Sequence, residues 1–410
     1  MLKEVFFRIL LQCDIIYKII TVYRGKLMIN KEKSVSRVLV ELLIICLISF
    51  VFIFAGNHFC SYDQIGVAET GVMSAKVVGI TDISAEMLDG MENTVISFDA
   101  DVSSGQMKGQ VVQAQQLINE MTIDKPKPVE VGDKILISDS NLTGSQQNDS
   151  KWYFLQQNRI PGMLMLCGIF LLLLIVIGRL KGVTTIVALG FTGAALFAVY
   201  IPAILSGRNV YNITVIVTVF IIFASLSLLN GINKKTLCAI VGNLGGILVS
   251  GLTALIANHA LKITGLVDEG FVYLMADDSS MFDLRAIVWS CIIIGSLGAI
   301  MDVSMSIASA MQELALEMKD RSFKRMVKSG MNIGRDAIGT MTITLVLAYV
   351  GSSIASILLF MLNSRNLMIL MNFEMIVVEI IQAVIGSLGI LMAVPITVLF
   401  AGWVFNRRSV

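Results

Sequence analysis

The chain has 410 residues, of which 56% are hydrophobic and 15% charged, with a net charge of +1 and a mean hydropathy of +0.80. Soluble globular chains carry about a quarter charged residues, so this composition excludes an ordinary soluble enzyme. Two histidines and six cysteines with no CxxC or paired spacing exclude a histidine-rich metal centre, a zinc site and a disulfide framework, so no metal and no cofactor is expected.

The first element is a basic leader over residues 1–37, with Lys3, Arg8, Lys18, Arg24, Lys26, Lys31, Lys33 and Arg37, and with Met28 as an alternative start. It suits anionic lipid at a cytoplasmic surface, and no nucleic acid is expected as a partner. The apolar run 38–55 that follows is long for a signal peptide's apolar region, and no A-x-A site comes after it. It is predicted to be an uncleaved transmembrane helix.

Residues 56–160 form the one water-soluble piece. Between Asp63 and Arg159 there are fourteen acidic residues against seven basic ones. "GVMSAKVVGI", "NTVISFDADV", "GQVVQAQQLI" and "VEVGDKILIS" read as short strands separated by turns, with "VGDK" as a tight turn and "GSQQND" as a loop. A small extracytoplasmic β domain, barrel- or sandwich-like, is expected.

Seven further spans follow within 161–405, at about 162–178, 183–205, 211–229, 236–258, 286–308, 337–362 and 379–403, before a short cytoplasmic tail at 406–410. With the N-terminus inside, the internal loops carry Arg179 and Lys181, then Lys234 and Lys235, then Lys319 to Arg335, and the tail adds Arg407 and Arg408. The external loops hold isolated Arg208 and Arg365 and an acidic loop with Asp268, Glu269, Asp277, Asp278 and Asp283. Every internal loop is basic, which satisfies the positive-inside rule. The fold class is therefore an all-α polytopic membrane protein of about eight transmembrane helices with an inserted β domain, both termini in the cytoplasm.

Within the bundle, Gly242, Gly246, Ser250, Ala254 and Asn258 recur every four residues. Such a small-residue stripe lets a neighbouring helix approach closely. It reads as packing, with a substrate path along it as the alternative.

From Ala286 to Gln312 the only charge in twenty-seven residues is Asp302. At 1.5 Å per residue it lies roughly 25 Å from Arg285, in the inner leaflet. Asp302, Ser306, Ser309 and Glu313 share one helix face. The next span opens with Asn332, Arg335, Asp336 and Thr340, and residues 312–330 between the two read as a charged surface helix with Glu317–Arg321 and Asp320–Lys324 pairs. Two readings of Asp302 stay open: it pairs with Arg335 and pins the hairpin, or it is a protonatable or cation-binding group in a transport path. Glu374 and Glu379 are expected at the interface where the last span begins.

The segments "GAIMDVSMSIASAMQEL" and "KSGMNIGRDAIGTMTITLVLAYVGSS" resemble the hairpin of the YibE/F family of bacterial multi-pass membrane proteins. The resemblance implies a bacterial cell membrane and supports this topology; it supplies no reaction. Where that family's pattern has a His before the Glu, this chain has Gln312, which weakens a metal role there.

No P-loop, HExxH or GxSxG occurs in a supporting context, so a catalytic role is not expected. The expected function is permease-like movement of a small solute or cation, with Asp302 as the coupling or structural carboxylate. The alternative is a scaffold or accessory subunit that holds a protein partner through its β domain.

Overall fold

The computed structural model describes residues 32–60, 71–88, 91–105, 107–119, 126–139, 152–267, 270–271, 282–318, 322–363 and 366–406. The chain divides into two compact units, one of Asp63–Arg179 and one of Met1–Tyr62 with Leu180–Val410. Most of the leader, the "GSQQND" loop, the segment Asp277–Met281, the surface-helix pairs involving Asp320 and Arg321, and the tail after Asn406 lie outside the described residues.

In the first unit, β1 (Met73–Leu88), β2 (Met91–Val102), β3 (Val111–Asn119), β4 (Lys134–Asp139) and β5 (Trp152–Gln157) close a barrel in the order β1-β2-β3-β5-β4. The β3–β5 pairing is parallel, at Ala114↔Trp152, and the other pairings are antiparallel. This is a five-stranded Greek-key barrel of the OB kind; the sandwich alternative is set aside because β1 pairs with both β2 and β4.

Alternation explains the closure. Ile96, Phe98, Ala100 and Val102 are buried on β2, while Ser97, Asp99 and Asp101 between them are partly exposed. The predicted "VEVGDKILIS" strand is shorter than expected, because Val131 and Gly132 turn before β4 starts. Gly132 has φ +100°, and Asp133 N–H donates to the Glu130 carbonyl at 3.1 Å. Buried Gln116 is fully used: its amide donates to Lys127 O and its oxygen accepts from Val129 N–H, both at 2.9 Å.

The second unit contains α1 (Glu32–Phe59), the latter part of α2 (Ile160–Ala195), α3 (Val210–Asn230), α4 (Lys234–Ala260), α5 (Leu284–Glu317), α6 (Phe323–Asn363) and α7 (Glu374–Asn406). A π-helical turn at Leu196–Tyr200 and a short helix at Ile201–Leu205 extend α2. Among the described residues seven helical stretches, against the eight expected, are thus long and apolar enough to cross a membrane. The predicted spans 162–178 and 183–205 run together because neither Gly178 nor Gly182 ends the helix. The stretch is broken at Arg179 alone, whose φ 51°, ψ −127° is non-helical and lies in a region that side chains other than glycine rarely enter.

Asparagine and aspartate start three of the helices. Asn209, Asn233 and Asp283 accept backbone hydrogen bonds from Asn212, Thr236 and Ala286 at 3.1, 2.9 and 3.1 Å. Gly231, at φ 74°, ends α3. The expected surface helix between α5 and α6 is not a separate element. α5 continues to Glu317, Met318 turns extended, and α6 begins at Phe323.

The core of this unit lies where α4, α5 and α7 meet, around Ile300, Val303, Ile307, Met311, Ala393, Val394 and Val398. By contrast, the apolar stretches of α1 and α6 leave most of their surface uncovered.

Candidate functional site

The polar stripe expected on α5 lies on its uncovered flank. Asp302, Ser306 and Glu313 are exposed, and Ser309 is half-buried with its hydroxyl donating to Met305 O at 2.9 Å. The same flank continues along the helix as Gly298, Gly295 and Cys291, all exposed. It is a small and polar strip running much of the helix length, on a protein whose other outward faces are largely Leu, Ile and Phe.

On α6, Asn332, Arg335, Asp336 and Thr340 are likewise exposed, and Thr340 donates to Ala337 O at 3.1 Å. Among the described residues no ion pair joins Asp302 to Arg335. The pin expected from that pair is absent because α6 turns Gly330 and Gly334 inward instead. A Cβ at Gly330 would collide with Met311 Sδ and meet Val398 Cγ1 at 3.0 Å, and one at Gly334 would collide with Val394 Cγ1. Apolar closeness holds the hairpin, and its charged residues are left on the outside. Burying an ion pair here would have cost desolvation of both partners.

The four-residue stripe of α4 faces the core. Gly242, Gly246, Ser250, Ala254 and Asn258 are all buried. A Cβ at Gly246 would lie 2.8 Å from Ile300 Cγ2 and 2.9 Å from the Gly389 carbonyl oxygen, and one at Gly242 would collide with Thr397 Oγ1. Ser250 donates to Ile385 O at 3.3 Å. The stripe is where α7 and α5 come closest to α4.

A feature that the sequence reading did not single out is a set of buried polar atoms without partners inside this unit. They are Thr218 Oγ1 on α3, both amide atoms of Asn243 and Oδ1 of Asn258 on α4, Ser304 Oγ on α5, Tyr349 Oη and Ser353 Oγ on α6, and Glu379 Oε2 on α7. Ser304 Oγ lies 3.3 Å from where a Cβ on Gly242 would sit. In sequence, such residues are mostly ordinary members of apolar spans; Asn258 carries a signal as a member of the α4 stripe and Glu379 as the last charge before a long uncharged run.

The two glutamates expected at the interface behave differently. Glu374 takes three hydrogen bonds from one loop: Thr264 N–H at 2.9 Å, Thr264 Oγ1 at 2.7 Å and Gly265 N–H at 2.6 Å. It fastens the start of α7 to the segment after α4. Glu379, five residues on, is half-buried, and one of its carboxylate oxygens is fully covered.

Among the described residues no group of three His, Cys, Asp or Glu side chains is placed to hold a metal ion. The family model described as YibE/F-like protein matches residues 166–407, which cover the hairpin and the whole apolar bundle from α2 onward. No curated protein and no solved structure matches the chain. With more than half its length inside that match, and with helices built to cross a bilayer, the chain is a membrane protein that belongs to the YibE/F-like family.

Proposed function

We propose that this protein is a permease-like membrane protein that moves a small solute or ion. The observation behind this reading is the set of unpaired polar atoms buried within the helical unit, from Thr218 through Asn243 and Ser304 to Glu379. In an apolar interior each such atom costs about 1–3 kcal/mol if nothing meets it, and a protein that only holds a partner has no use for several of them. A polar cargo or its water would meet them.

Asp302 is the coupling carboxylate in this reading, with Ser306, Ser309 and Glu313 along α5 and Asn332, Arg335, Asp336 and Thr340 on α6 forming its polar surroundings. In this reading the kink at Arg179 separates two crossings, which makes eight. On this count both termini lie in the cytoplasm of a bacterial cell and the barrel outside, a topology that the basic internal loops and the acidity of the barrel segment support.

The test is electrical. The full chain, reconstituted in liposomes on a solid support, should give transient currents on a jump in proton, sodium or potassium concentration. Asp302→Asn should abolish them while leaving insertion intact. Currents of equal size from Asp302→Asn would remove Asp302 from the mechanism, and silence of the unaltered protein under every gradient would remove the permease.

A second reading, a scaffold that binds a partner through the barrel, is favoured by exposed Val78, Ile80, Ile83 and Val131. Val78 and Val131 stand beside each other, since Gly132 N–H donates to Val77 O at 2.9 Å. The scaffold reading expects Val78→Glu with Val131→Glu to reproduce the phenotype of deleting the protein, whereas ion-driven currents of the purified chain would be unchanged by them.

A further inference from the structure

Three of the unpaired atoms lie on α6 and α7, at levels that the packing of these two helices relates. The contacts run antiparallel: Gly402 meets Phe323 and Val327, Gly330 meets Val398, Gly334 meets Val394, and Gly386 meets Leu345. From the Gly386–Leu345 contact, Tyr349 and Ser353 lie one and two turns further along α6 on the same face, about 6 and 12 Å away at 1.5 Å per residue. Glu379 lies seven residues back along α7, again on one face and about 10.5 Å away in the same direction. The carboxylate therefore stands level with the interval between the phenol and the hydroxyl.

The third wall is α5. Tyr349 Oη sits over Gly295, only 2.5 Å from where a Cβ would be, so a glycine there is what admits the phenol. Ser296 Cβ lies 3.2 Å from the Cβ position of Gly386, which brings α5, α6 and α7 to one junction. Ser353 is 3% exposed. Tyr349 Oη, Ser353 Oγ and Glu379 Oε2 are each covered, and none has a hydrogen-bond partner.

Oxygen donors of this kind suit a hard cation. The charge count selects its valence. One carboxylate and two neutral hydroxyls balance a single positive charge, whereas a divalent ion would leave an uncompensated charge in a low-dielectric interior. We propose that Glu379, Tyr349 and Ser353, at the junction of α5, α6 and α7, form a binding site for a monovalent hard cation of the sodium type. Binding at this site stands by itself; its use to drive movement of a solute rests on the permease reading.

The experiment uses the full chain in nanodiscs and follows its thermal unfolding as sodium chloride replaces choline chloride at constant ionic strength. The unaltered protein should show a saturable rise in Tm with sodium, because a ligand that binds only the folded state stabilises it. Glu379→Gln should lose the rise, Tyr349→Phe should raise the half-saturating concentration about tenfold, and Gly190→Ala, with nothing within 4 Å of its Cβ position, should leave it unchanged. Direct binding of radioactive sodium to the unaltered protein and to Tyr349→Phe decides the matter if Glu379→Gln does not fold.

An equal Tm in sodium and choline would overturn the site and leave a carboxyl neutralised by a proton or bridged by water. A sodium effect that survives both Glu379→Gln and Tyr349→Phe would overturn it as well. Sodium binding without ion-driven currents keeps the site and removes the permease, and currents without sodium binding do the reverse.

Discussion

Substituting Gly246 by alanine tests the packing argument most directly. The added methyl carbon would lie 2.8 Å from Ile300 Cγ2, 2.9 Å from Gly389 O and 3.0 Å from Ala393 Cβ, on two different helices. One of these is backbone and cannot rotate away, so α4 and α7 must separate. Overpacking of this kind costs about 1–3 kcal/mol, and the obstacle on the backbone puts Gly246 in the upper half of that range. Alanine returns up to about 1 kcal/mol of helix propensity, which leaves a net loss of roughly 1–2 kcal/mol. Gly190 on α2 is the control, because nothing lies within 4 Å of its Cβ position. Thermal unfolding of the full chain in detergent should show Gly246→Ala lowered by several degrees and Gly190→Ala unchanged or raised. Equal behaviour of the two would refute the claim that the α4 stripe is a tight seam.

Other outcomes follow from single contacts. Glu374→Ala removes the acceptor of three hydrogen bonds from Thr264 and Gly265; it should cost about 1–3 kcal/mol and speed hydrogen exchange at those two amides, and unaltered exchange would show that the clamp is idle. Phe98→Ala empties the centre of the barrel, where Phe98 is fully buried. A loss of about 3–5 kcal/mol should appear as new proteolytic cleavage within residues 71–157 of the full chain while the helices stay resistant. For the topology, a membrane-impermeant thiol reagent applied to intact cells should label a cysteine placed at Ser145 and spare one at Ser322. Labelling at Ser322 would invert the topology.

Much of the architecture was written in local pattern. Span lengths follow from hydropathy, since a lipid core admits only long apolar helices. The strands of the barrel follow from alternation, since one face meets water and the other does not. β5 escaped notice because "WYFLQQ" is only six residues long and alternates weakly: Trp152 and Tyr153, adjacent in sequence, are both buried. The fusion of two expected spans across Arg179 escaped for a different reason, as one non-helical residue has no compositional signature.

The sequence alone determined that this is a multi-helix membrane protein with a small β domain, that α4 carries a stripe of small residues, and that Asp302 is an isolated charge. Only the tertiary structure decided which faces meet. In lipid, both the outward and the inward side of a helix are apolar, so periodicity cannot say which way either one looks. That is why Asp302 and Arg335, adjacent on paper, stand exposed and unpaired, while the carboxylate with a covered, unpartnered oxygen is Glu379. Tyr349 and Ser353, which also carry covered, unpartnered oxygens, lie on another helix, and their level relative to Glu379 follows from the antiparallel register of α6 on α7, set at glycines that let the helices approach closely.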